Sequence, residues 1–94
     1  MTNEDLVFKL REKDDAHPHA TVVATGEGKD FSMFCGCLAC LNGALICPQI
    51  VAVIREDKDR VMYGQGQFEE LRKRSNGSRL TDPNNGYWKF YPLA

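Results

Sequence analysis

The chain has 94 residues, 43% of them apolar and 27% charged, enough for one hydrophobic core, too few for two, and too apolar for wholesale disorder. Its 12 basic and 13 acidic side chains leave a net charge of −1, which excludes a general electrostatic pull on nucleic acid or anionic lipid, so any such binding has to be local. Residues 1–94 are therefore expected to form a single globular domain.

The opening "MTNEDLVFKLREKDD" has neither the basic start nor the apolar run of an export signal, so a cytoplasmic, reducing setting with free thiols is expected. Thr2 can cap a helix with Asp5 reaching back, and Leu6, Val7 and Leu10 then form its apolar stripe, which predicts a helix to about Asp14. Pro18 disfavours helical geometry at His17 and ends it. The same loop gathers Asp14, Asp15, His17 and His19, donors suited to a divalent metal but equally ordinary at a solvated helix end.

"ATVVAT" and "FSMF", separated by "GEGKD", predict a hairpin of strands over 20–25 and 30–35. "GCLACLNG" reads as a short buried helix, with Leu38, Leu41 and Leu45 at helical spacing and Gly43 as its left-handed stop, although Asn42–Gly43 also suits a hairpin turn. "IVAVIRE" has the β-branched density of a buried strand, and "RVMYG" is expected to be its antiparallel partner. "QFEELRKRSNG" predicts a helix with acids first, bases last and Asn76–Gly77 as the stop. After the turn cluster "TDPNNG", "YWKFYPL" reads as a terminal edge strand closed by Pro92. The sum is an α+β fold with an antiparallel sheet of about four to six strands and two or three short helices.

All four cysteines lie in the uncharged stretch from Phe31 to Ile54. Cys35, Cys37, Cys40 and Cys47 follow C-x-C-x2-C-x6-C, and the gap between Cys37 and Cys40 is one that zinc knuckles and redox turns share. Zinc usually takes two ligand pairs from separate elements, whereas these four sit within one short stretch. A catalytic thiol needs a cation, a histidine or a helix start to ionise it, and the stretch offers no cation. Buried cysteines acting as small hydrophobes, with no metal or other cofactor, are the expectation, and a zinc site or a Cys37–Cys40 redox pair is the alternative. The stretch is also long and apolar enough to raise a membrane span, but Asn42–Gly43 and Pro48–Gln49 would fall near the bilayer centre, which argues against it.

Gly64 and Gly66 in "YGQGQFEEL" precede a helix, where bare amides can hold phosphate, yet Glu69 and Glu70 would repel it and a plain turn is the simpler reading. No catalytic residue is assigned. The partner-binding candidates are Arg72, Lys73, Arg74 and Arg79 together with Tyr87, Lys89 and Tyr91, a basic helix end beside exposed aromatics. They fit a non-catalytic domain that binds another protein, either a different chain or a second copy, because tyrosine and arginine dominate interface hot spots. The same set could bind single-stranded nucleic acid through phosphate contacts and ring stacking, which is the alternative from another class.

Overall fold

In the computed structural model, residues 4–11, 19–43, 46–82 and 84 are described. Leu6, Phe8 and Leu10 alternate with Val7, Lys9 and Arg11, and this period of two makes β1 (Leu6–Arg11) a strand. The helix expected there does not form, since a helical stripe of Leu6, Val7 and Leu10 would leave Phe8 off the apolar face. In the strand, Phe8 and Leu10 are completely buried.

β1 is central. Strand β2 (His19–Thr25) pairs with it antiparallel, in the register Leu6↔Ala24, Phe8↔Val22 and Leu10↔Ala20. β3 (Ser32–Cys35) returns along β2 as the predicted hairpin, with Val22↔Cys35 and Thr25↔Ser32 opposed. The hydroxyls of Thr25 and Ser32 lie 3.2 Å apart across that pair. β4 (Val61–Tyr63) lies on the other side of β1, giving the order β3-β2-β1-β4. In the partner expected for β4, residues 50–56, the first five are helical instead.

That helix, α2 (Pro48–Ile54), starts with Cys47 as its N-cap and proline in its first turn, a position where the missing N–H costs nothing. Ile50, Val51, Ala52 and Val53 are all buried, and α2 packs against β2 and β3. An apolar run buried on every side carries no period, which is why β-branched density alone misassigned it. Glu56 then adopts a positive φ of 56°, and the Asp57 carboxylate accepts the N–H groups of Asp59 and Arg60, turning the chain into β4.

The short helix predicted near residue 40 is present as α1 (Leu38–Leu41), but its Leu41 is 74% exposed instead of buried. The late helix is α3 (Phe68–Ser75), with Glu69 and Glu70 in its first turn and Arg72, Lys73 and Arg74 in its last. Phe68 stacks on Phe8, ring centroids 5.8 Å apart, and the Gln67 amide donates to the Val7 carbonyl at 2.8 Å. Gly64 has φ +97°, and a Cβ there would lie 2.6 Å from that same carbonyl oxygen. The glycine expected in a turn is thus required by close backbone approach. Gly77, with φ +82°, follows α3 where the stop was expected.

The molecule is a small α+β domain: a four-stranded antiparallel sheet with α2 and α3 over its buried face. The opposite face carries Val7, Lys9, Thr21, Val23, Phe34 and Tyr63, with the Lys9 ammonium 5.8 Å from the Tyr63 ring centroid. Among the described residues no helix is long and apolar enough to cross a membrane; the uncharged stretch divides into β3, α1 and α2. The predicted C-terminal strand, with Tyr87, Lys89 and Tyr91, and the Asp14–His17 donors lie outside the described residues.

Candidate metal centre

Each cysteine is positioned by a different local feature. Cys35 ends β3 on its inward face, alternating with buried Met33 and exposed Phe34. Exposed Gly36 follows, between β3 and α1. Cys37 opens the single turn of α1, its carbonyl accepting the Leu41 N–H at 3.0 Å, and Cys40 closes it, accepting from Gly43. Gly43, with φ +98°, redirects the chain. Buried Ile46 then anchors its return. Cys47 caps α2, and its sulfur accepts the Ile50 N–H at 3.5 Å.

These features bring four sulfurs together. The Sγ atoms of Cys35, Cys37, Cys40 and Cys47 all lie within 4.8 Å of one another. A tetrahedral site with Zn–S bonds of about 2.3 Å has edges of about 3.8 Å, so closure needs adjustments of about 1 Å at most. Cys35 and Cys47 are buried, as small apolar side chains would be; Cys37 and Cys40 are partly exposed and pack against the rim of the core. Reading the cysteines as separate hydrophobes accounts for their burial but not for their convergence. Together they can hold a metal ion.

The electrostatics point the same way. A hydrogen bond with the Cys35 thiol, reinforced by burial, pushes the Cys47 thiol well above its ordinary 9.0. Burial also raises Cys40, against a hydrogen bond with Cys47 that lowers it and with help from Cys37 and Cys35. Without a cation the Cys40 and Cys47 thiols favour the protonated form, because a thiolate at either would meet a poorly solvated site and its neighbours' charge. A divalent ion reverses that balance by neutralising the thiolates where they stand.

The predicted binding cations stand in other company. Arg72 pairs with Glu56 at 3.1 Å and Lys73 with Glu69 at 4.0 Å. Arg74 is 8% exposed and bonds the Glu70 carboxylate and the Glu4 carbonyl, so it ties the N-terminal segment to α3. Arg79 is exposed, in a 3-10 turn capped by the Ser78 hydroxyl. A cleft of about 280 Å³ beside α3 has Phe31, Ile54 and Leu71 as its apolar lining. The hydroxyls of Ser75 and Thr81 at its rim are engaged by backbone carbonyls, so neither is poised as a nucleophile.

The signal for the sulfur cluster was present in the spacing, but its meaning depended on the chain path between Leu41 and Cys47. One further mark lay in the sequence: Gly36 and Gly43 bracket the Cys37–Cys40 turn. Comparison with known protein families, curated proteins and solved structures gives no match for this chain.

Proposed function

We propose that the protein is a small, non-catalytic recognition domain closed by one structural zinc ion, bound by Cys35, Cys37, Cys40 and Cys47, and that its partner is another protein chain. The observation that carries the zinc reading is the convergence of four sulfurs within 4.8 Å. Four thiolates are a soft donor set that selects zinc over magnesium or calcium, and four protein ligands leave no open position for substrate, which is the mark of a structural site. A four-iron cluster places a separate iron behind each thiolate and needs them farther apart than a single-ion tetrahedron does. α1 is one turn long, too short to build the dipole that a reactive thiol pair would draw on.

The partner reading is supported by the outward sheet face, where Phe34 is 58% and Tyr63 60% exposed, with Val7 and Val23 between them. Metal analysis of the chain purified without chelators is the test. The expected result is one zinc per chain, lost in Cys47→Ser, with the thiols protected from alkylation until the protein is denatured. A chain that takes up no zinc even when it is supplied would sink the proposal.

A further inference from the structure

The four ligands differ in access. Cys35 is 7% exposed and Cys47 is completely buried, whereas Cys37 and Cys40 are partly open and stand beside exposed Gly36 and Leu41. The two open ligands are also the pair three residues apart in one turn, where Cβ atoms lie about 5–6 Å apart. A disulfide wants about 3.8 Å between Cβ atoms, so bonding this pair tightens a single turn. Bonding Cys35 to Cys47 would instead join β3 to α2 inside the core.

Resting on the zinc reading above, we infer that Cys37 and Cys40 form an oxidation site, at which a hydroperoxide converts the zinc-bound thiolates to a disulfide and releases the metal. A four-thiolate zinc centre carries two net negative charges, and the stretch from Phe31 to Ile54 contains no lysine, arginine or histidine to offset them. No side chain of that stretch draws electron density from the thiolates, and attack on peroxide needs that density. One outer thiolate attacks the terminal peroxide oxygen and displaces hydroxide, or alkoxide where the oxidant is an organic hydroperoxide, becoming a sulfenic acid. The second attacks that sulfur, displaces another hydroxide and forms the S–S bond. The sulfur pair loses two electrons and the peroxide gains both. Cys35 and Cys47 would remain as a two-ligand remnant, too few to hold a metal against a competing chelator.

The inference predicts order as well as outcome: the exposed pair reacts first, and the buried pair stays reduced. The experiment treats the zinc-loaded full chain with hydrogen peroxide in the presence of a chromophoric zinc chelator. Differential alkylation and tandem mass spectrometry then locate the linkage. Release of one zinc, with loss of two hydrogens and a Cys37–Cys40 bond, is expected, and dithiothreitol with added zinc should restore the starting state. Zinc retained under peroxide that fully oxidises free cysteine overturns the inference and leaves the zinc site standing, as does a first disulfide that includes Cys35 or Cys47. A chain that binds no zinc before peroxide is added overturns both.

Discussion

Two halves of this domain are closed by different physics. Around β1, β4 and α3 the chain is held by packing: Phe8 stacks on Phe68, Leu10 and Val61 are completely buried, and Arg74 latches the N-terminal segment to the last helix. Around β3, α1 and the start of α2 the elements are short, Leu41 faces solvent, and what meets at the centre is sulfur. The first half is closed by apolar burial. The second adds to its buried Ile46 and Ile50 a cluster of four sulfurs that could hold a metal ion, so the two halves offer different means of closure.

The contrast can be broken most severely from the packed half. Phe8→Ala removes a fully buried ring and its stacking partner's contact, and it should cost about 3–5 kcal/mol. Urea unfolding of the zinc-loaded protein measures this, and a loss below 1 kcal/mol would mean that β1 is not the centre of the core.

Removing zinc attacks the other half. At a metal concentration a thousandfold above the dissociation constant, chelation should withdraw about 4 kcal/mol. Hydrogen exchange should then rise in residues 35–53 while β1 and β2 keep their protection. Uniform loosening would show that the two halves are one cooperative unit.

The metal-free form carries its own pH signature. Cys40 and Cys47 have folded-state values raised above 9.0, so the fold favours the protonated thiols. Their contribution is fully present below pH 9 and is lost as the pH rises beyond it. Zinc binding runs the other way, weakening as the pH falls because protons compete for the thiolates. Thermal melts of metal-free and zinc-loaded protein across pH 7–10 should therefore diverge increasingly on the alkaline side.

The two ion pairs within α3 differ in burial. Arg74→Ala strips a shielded cation that bonds both Glu70 and the Glu4 carbonyl, and should cost about 1.5–3 kcal/mol. Lys73→Ala breaks a 4.0 Å pair whose side chains are 69% and 77% exposed, and should move stability by less than about 0.5 kcal/mol. Equal effects would mean that Arg74 is not the latch its burial implies.

Much of the fold was legible in the residues. The β2–β3 hairpin follows from β-branched runs around a glycine-bearing turn, and α3 from its charge order and glycine stop, because these signals are local. β1 and α2 were misassigned for opposite reasons. Leu6, Val7 and Leu10 offered a helical stripe that leaves Phe8 out, whereas Leu6, Phe8 and Leu10 alternate as a strand that pairs on both sides. Ile50–Ile54 is apolar throughout and thus has no period to read, and Cys47 with Pro48 starts a helix that β-branched preference opposes.

For the candidate site the division is sharper. Composition and spacing by themselves determined one α+β domain, four thiols in a neutral stretch and a two-residue gap between the central pair. Whether those thiols stand apart in a core or meet around one point was decided only by tertiary structure. The end of β3 and the cap of α2 become neighbours because α2 packs on β2 and β3, a contact between elements that no local preference encodes.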